Sequence, residues 1–166
     1  EMAYKIANQR DFPGWGHMIE NGATTLWETW RYSDNVYSQN HPMFGSVGAW
    51  FYRSLLGINE LEPGFRKILI KPQPAGDLTS AEESFETLYG EIGSSWKIAE
   101  GMFFLKIKIP VNTTATVMIP SRFGQNIKVD EKPIRTNKDI LSFEMQEDHT
   151  IIEVGSGEYH FEAIQD

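Results

Sequence analysis

The hydrophobic period changes at Pro63, and this change constrains the fold more than any other feature of the sequence. Before it, Phe44, Val47, Phe51, Leu55 and Ile58 recur three or four positions apart, as the buried face of a helix requires. After it the period is two. Phe103, Leu105, Ile107 and Ile109 alternate with Phe104, Lys106 and Lys108, and Ala115, Val117 and Ile119 alternate with Thr114, Thr116 and Met118. Alternation of this kind gives a strand one apolar face. Leu61-Glu62-Pro63-Gly64 marks the junction, because Pro-Gly interrupts both patterns. The expectation is an α+β chain, with helices over residues 1–62 and an antiparallel β-sandwich over residues 63–166.

Within the first part, residues 3–9 read as the end of a helix, stopped by Asp11-Phe12-Pro13-Gly14-Trp15-Gly16. In that stop, Gly14-Trp15-Gly16 reads as a turn whose indole packs in the core. Residues 24–31 read as a short helix, and residues 42–56 as a longer one. Pro42 suits the first helical position and Gly57 the residue just past the end. Gly45 and Gly48 would admit a close neighbour. In the second part, strands are expected at 66–71, 84–88, 91–98, 103–109, 115–119, 127–129, 140–145, 150–154 and 158–164. Pro110-Val111-Asn112 and Gly155-Ser156-Gly157 would each close a hairpin, and Trp96 would plug the core.

Four of the five tryptophans lie before Pro63. Two or three short helices cannot bury that much aromatic surface among themselves, so this part reads as the remnant of a larger helical domain. Apolar surface left uncovered promotes association. The chain is therefore expected to self-associate or to fold its helices back on the sandwich.

Composition excludes several functions. A net charge of −8 argues against nucleic acid as a partner, since phosphate neutralisation needs clustered Lys and Arg. No apolar run approaches the roughly 20 residues that cross a bilayer, so no membrane partner is expected. The absence of cysteine removes disulfides and thiolate zinc sites. His17, His41, His149 and His160 lack metal spacing, no Asp-rich calcium loop is present, and no cofactor is expected. Asn112-Thr113-Thr114 is a sequon without further support. Lys67, Lys71, Lys97, Lys106 and Lys108 read as solvated sheet faces. The opening Glu1-Met2-Ala3-Tyr4 has neither a basic start nor an apolar block, and the compartment stays open.

The densest chemistry is Gly22-Ala23-Thr24-Thr25-Leu26-Trp27-Glu28-Thr29-Trp30, with His41 following in Gln39-Asn40-His41-Pro42. One carboxylate stands among indoles. Aromatic faces suit the C–H faces of a sugar ring, and carboxylates and imidazoles suit its hydroxyls. A carboxyl beside indoles is also partly desolvated, which tunes it toward acid–base work. A plainer reading stands beside this one, with Glu28 a solvated helix residue, Trp27 and Trp30 core, and His41 a helix cap.

Three motifs in order resemble the end of the catalytic domain in bacterial α-L-rhamnosidases. They are Gly22–Trp30 as G-A-T-T-x-W-E-x-W, Ser38-Gln39-Asn40-His41 as S-x-N-H, and Gly45-Ser46-Val47-Gly48-Ala49-Trp50-Phe51-Tyr52-Arg53 as G-S-V-G-x-W-x-Y-R. Pro63-Gly64-Phe65-Arg66-Lys67-Ile68 and Ile70-Lys71-Pro72 resemble that family's exit into its C-terminal β domain. The resemblance implies an (α/α)₆ barrel that hydrolyses terminal α-L-rhamnosides with inversion. It implies Glu28 as general base and His41 as a contact to the rhamnose. Trp27 and Trp30 share the motif, and their contact to the sugar is an expectation added here. The implied partners are a rhamnose-containing oligosaccharide or glycoside and an N-terminal part of the same polypeptide outside this sequence. The Thr29-to-Asn40 connection is shorter than in many members. Two alternatives remain open: a non-catalytic sandwich that binds carbohydrate or braces the barrel, and an (α/α)₆ glycosidase for another sugar.

Nothing in the sequence matches the family's general acid. Asp11, Glu20 and Asp34 suit surface or cap positions. The 166-residue chain alone is therefore expected to show no turnover of an aryl α-L-rhamnoside. Release of the chromophore above the uncatalysed rate by the purified chain would contradict this.

Overall fold

A computed structural model describes residues 1–32, 37–124 and 126–164. They form two compact units, residues 1–51 with 75–77, and residues 52–74 with 78–164.

The first unit holds α1 (Met2–Ala7), α2 (Trp15–Glu20) and α3 (Val47–Trp50). Helical backbone is continuous from Pro42 to Leu55, in three styles. Pro42–Ser46 is a tight 3₁₀ turn, α3 follows, and Phe51–Leu55 is a wide π turn. The helix expected over 42–56 is thus present, but not as one regular cylinder. A wide turn breaks the three-four spacing. As a result Phe51, expected on the buried face, is 41% exposed, while Leu55 and Leu56 are buried side by side. Ile58 is buried in a strand instead. Of the two glycines expected to admit a neighbour, Gly45 lies against Leu26, and Gly48 faces open space.

The expected helix over 24–31 is absent, and those residues are irregular. Their backbone groups bond to a distant segment rather than to the next turn. Conversely, α2 begins at Trp15, inside the stretch read as a turn. The Gln9 side chain ties that stretch, donating to the carbonyls of Pro13 (2.8 Å) and Asp11 (3.3 Å), while the Gly16 N–H donates to the Gln9 carbonyl. A Cβ at Gly14 or Gly16 would strike that carbonyl. The glycines serve a close approach and do not end a helix.

The second unit is the β-sandwich. Its strands are β1 (Ile58–Glu60), β2 (Lys67–Ile70), β3 (Ser80–Thr87), β4 (Gly90–Ala99), β5 (Met102–Ile109), β6 (Thr114–Pro120), β7 (Asn126–Val129), β8 (Lys132–Pro133), β9 (Ile140–Met145), β10 (His149–Val154) and β11 (Gly157–Ile164). One sheet has the order β1-β2-β6-β10-β9, the other β3-β4-β5-β11-β7-β8. Neighbours are antiparallel except β2 and β6, which run parallel from Lys67↔Thr114 to Ile70↔Val117. The alternation read from the sequence sets the inner faces. Phe103, Leu105, Ile107 and Ile109 point inward from one sheet, and Ala115, Val117 and Ile119 from the other. Each large apolar side chain so buried contributes about 1.5–3 kcal/mol. Trp96 is 1% exposed and stacks with Phe103, which stacks in turn on Phe123.

Both expected hairpins are corrected. Pro110-Val111-Asn112 does turn the chain, but β5 and β6 enter different sheets, and so do β10 and β11 on either side of Gly155. A strand that crosses to the facing sheet shows the same alternation as one that pairs alongside. Period alone therefore cannot separate the two.

Thr150 is fully buried, and its hydroxyl has no hydrogen-bond partner among the described residues. The equally buried Ser94 hydroxyl instead donates to the Leu56 carbonyl at 2.8 Å. An unpaired buried hydroxyl costs about 1–3 kcal/mol, whereas an apolar replacement of the same shape removes that cost. Thr150→Val is expected to stabilise the chain by about 1 kcal/mol, and Ser94→Ala to destabilise it by about 1–3 kcal/mol. Denaturant unfolding followed by near-UV circular dichroism reads both, and a Thr150→Val chain no more stable than its parent would show that the hydroxyl is satisfied.

Candidate functional site

The residues singled out by sequence lie in the first unit, on two irregular strands of chain clasped to each other. The Glu28 N–H donates to the Ser38 carbonyl at 2.9 Å, and the His41 N–H donates to the Leu26 carbonyl at 2.8 Å. Thr25 reinforces the clasp through its hydroxyl, which donates to the Gln39 carbonyl. Residues 26–28 and 38–41 thus run as a short antiparallel pair. Glu28 and His41, thirteen positions apart in sequence, come to adjacent rungs of it.

Each side chain is held by backbone. The Ser38 N–H donates to Glu28 Oε2 at 2.8 Å. His41 has extended backbone and caps the Pro42–Ser46 turn, its Nδ1 accepting from the Met43 N–H at 3.1 Å. The ring nitrogen that accepts carries no proton, so in the neutral ring the proton sits on Nε2. The cap reading and the ligand reading of His41 are compatible, because each uses a different ring nitrogen.

The tryptophans are placed differently from each other. Trp27 is 4% exposed and meets Tyr32 edge to face at 5.2 Å. Trp30 stacks on Phe44 with centroids 3.8 Å apart and takes the edge of Trp15 at 5.1 Å. The Trp15 indole N–H donates to the Phe44 carbonyl. Both tryptophans therefore engage other parts of the chain, Trp30 through a three-ring cluster that the sequence did not announce. A cavity of about 260 Å³ beside the clasp is lined by Trp15, Met18, Ile19, Ala23, Thr24, Thr25 and Leu26. Its walls are mostly apolar.

Among the other carboxylates, Glu20 pairs with Arg10 at the surface, and Asp34 lies outside the described residues. The Tyr4 hydroxyl donates to the Asp77 carboxylate, which raises the phenol and lowers the carboxyl from their ordinary ranges. His160 bonds Asp130 at 3.2 Å, and burial, aided by the charge of Lys71, pushes His149 down. Among the described residues no three His, Asp or Glu side chains gather as a metal site would require.

The sandwich carries a groove of about 380 Å³ on its six-stranded sheet, lined by Glu82, Glu83, Glu91 and Glu158, Lys106 and Lys108, and the strand residues Ser84, Gly93, Ser94, Ser95 and Ile107. No aromatic ring lines it, and Lys108 is engaged with Glu91 at 2.8 Å.

If Trp30 is the keystone of the ring cluster, Trp30→Ala removes the packing that seats the clasp, at about 3 kcal/mol. Amide exchange is expected to lose protection at Glu28 and His41, the donors of the clasp, and Trp30→Phe to restore it. Unchanged protection in Trp30→Ala would leave the ring free for a ligand role.

Comparison with known proteins matches two successive stretches of the chain. Residues 1–55 match the bacterial alpha-L-rhamnosidase 6 hairpin glycosidase domain, and residues 57–133 match the bacterial alpha-L-rhamnosidase C-terminal domain. An alpha-L-rhamnosidase of Streptomyces avermitilis is 36% identical over 97% of this chain, which spans 16% of that protein. The structure of alpha-L-rhamnosidase from Dictyoglumus thermophilum superimposes with a TM-score of 0.89 at 42% identity, over 99% of this chain and 19% of its own. The Streptomyces avermitilis enzyme complexed with L-rhamnose gives a TM-score of 0.84 at 33% identity, over 96% of this chain and 16% of its own. The chain thus spans less than a fifth of these relatives. Two successive family matches and relatives aligned over nearly the whole chain agree on one assignment, and the chain belongs to the bacterial α-L-rhamnosidase family, of which it carries a stretch of the 6 hairpin glycosidase domain and a stretch of the C-terminal domain.

Proposed function

We propose that this chain serves in an α-L-rhamnosidase that cleaves terminal α-L-rhamnosides with inversion, and that Glu28 is its general base. On this reading residues 1–62 close the helical catalytic domain, residues 63–166 brace it as a sandwich, and the general acid lies outside this sequence. The observation that carries the reading is the clasp. It brings Glu28 and His41 to adjacent rungs and fixes both through backbone bonds, within a chain that matches enzymes of this name.

Inverting hydrolysis needs a carboxylate on the face of the sugar opposite the leaving group, with space for one water between. Glu28 takes a proton from that water as its oxygen bonds the anomeric carbon. The glycosidic C–O bond breaks, and the acid protonates the departing oxygen. His41, with its proton on Nε2, donates to a rhamnose hydroxyl. Trp27 and Trp30 wall the site through their packing, and any contact to the sugar is made by a ring edge. The groove on the sandwich offers no aromatic platform, which supports bracing over carbohydrate binding for that domain.

Glu28→Gln keeps the shape and the acceptor for Ser38 but loses the base. In a full-length enzyme containing this chain it is expected to lower kcat on an aryl α-L-rhamnoside about 10²–10⁴-fold, the usual worth of a general base, with the unfolding temperature unchanged. A variant that keeps most of its kcat would remove Glu28 from the mechanism. Proton NMR of the first sugar released, as the β anomer, tests inversion in the same sample.

A further inference from the structure

Ser38 has a position that neither charge nor exposure would single out. Its N–H donates to Glu28 Oε2, and its carbonyl accepts from the Glu28 N–H, so one residue grips both ends of the carboxylate's own residue. The hydroxyl works on the other side. It donates to the Asn40 carbonyl and accepts from the Asn40 N–H, both at 3.1 Å. A short polar side chain bonded to backbone two positions on is a standard device for setting a tight turn. The next residue, His41, is the one whose N–H closes the clasp on Leu26.

We propose that Ser38 is a positioning residue for the reaction inferred above, and that its hydroxyl sets the geometry of both Glu28 and His41 through one turn. The inference rests on the reading of Glu28 as the base. With Oε2 held by the Ser38 N–H, proton abstraction falls to Oε1, and that bond restrains both the plane and the depth of the carboxylate. The turn at residues 38–40 then fixes how far His41 lies along the clasp from Glu28. Base and sugar-binding donor are in this way set by the same hydroxyl. A hydroxyl spent on the Asn40 backbone influences the rate through such placement, and misplacement by about 1 Å can cost up to about 10²-fold.

The test uses the full-length enzyme containing this chain, with Ser38→Ala, Ser38→Thr and Glu28→Gln compared on one aryl α-L-rhamnoside. Ser38→Ala keeps the N–H and removes only the hydroxyl that sets the turn. It is expected to lower kcat about 10- to 100-fold, since a misplaced base is felt in the transition state, with KM rising less than kcat falls and the unfolding temperature unchanged. Ser38→Thr, which keeps the hydroxyl, is expected to restore most of the loss. Near-normal kcat in Ser38→Ala beside an inactive Glu28→Gln would overturn the positioning role and leave the base in place. A loss that threonine does not restore, or that follows a fall in unfolding temperature, overturns it as well. Full turnover in Glu28→Gln would remove the base itself and this role with it.

Discussion

Four carbonyls at the end of a helix govern much of the second unit. The last turn before Gly57 leaves the carbonyls of Arg53, Ser54, Leu55 and Leu56 without helical partners, as every helix end must. Leu55 and Leu56 belong to the core, so water is a poor substitute. Each of the four has a named donor. Asn59 Nδ2 reaches Arg53 at 2.7 Å, the Gln73 N–H reaches Ser54 at 3.0 Å, Trp96 Nε1 reaches Leu55 at 2.8 Å, and the Ser94 hydroxyl reaches Leu56 at 2.8 Å. A buried carbonyl left unpaired would cost about 1–3 kcal/mol. Two of the four donors sit on the inward face of β4, two positions apart. The helix end therefore fixes the register of that strand, and through it the strands on both sides. Gly57 completes the junction. It takes a positive φ, and a Cβ there would collide with the backbone of Lys71 and Pro72.

This junction explains why the sequence was readable in one respect and misleading in another. Gly57 was legible as the residue past a helix end, since only a residue without Cβ fits a left-handed position against neighbouring backbone. Trp96 was legible as core filler. The use of its indole N–H was not, because the carbonyl it serves lies forty-one positions away. The alternating strands were legible for the same reason as Gly57: a period of two is a local property of a pleated chain. Which strand pairs with which is not local. β5 and β6 follow each other across a turn yet belong to opposite sheets, and both patterns serve the same core.

The helical unit shows the converse failure. Residues 24–31 carry Leu26, Glu28 and Arg31, which favour a helix, among three threonines and two tryptophans, which favour it less, and Leu26 and Glu28 bond their backbone groups to His41 and Ser38 instead. Pairing between segments overrides propensity, which is worth only a few tenths of a kilocalorie per residue. At Trp15 the error ran the other way: two glycines that look like breakers are required by the approach of the Gln9 carbonyl. In the candidate site, Glu28 and His41 were singled out by residue chemistry and motif order, and two backbone bonds bring them to adjacent rungs of the clasp. The ring cluster of Trp15, Trp30 and Phe44 was not, since a stacked neighbour leaves no mark in a single sequence.

The manner in which Glu28 is held bears on the role proposed for it. Among the described residues the ion pairs fall elsewhere: Arg10 with Glu20, Lys67 with Glu62, Lys108 with Glu91, Lys132 with Asp139 and, when its ring is protonated, His160 with Asp130. Glu28 is instead fixed by a peptide N–H. An arginine in that place could take both carboxylate oxygens, as paired guanidinium and carboxylate groups do, and on the proposed reading would compete with the water that a base has to reach. A single N–H occupies one lone pair, and its position is set by backbone rather than by a flexible cationic chain. Orientation is thereby obtained with the second oxygen left open, as the proposed base would need. The same economy applies at His41, where the Met43 N–H occupies Nδ1 and leaves Nε2 as the donor. In both residues the backbone takes one polar atom and leaves the other, which is how a short irregular clasp can orient two side chains without a regular element beneath them.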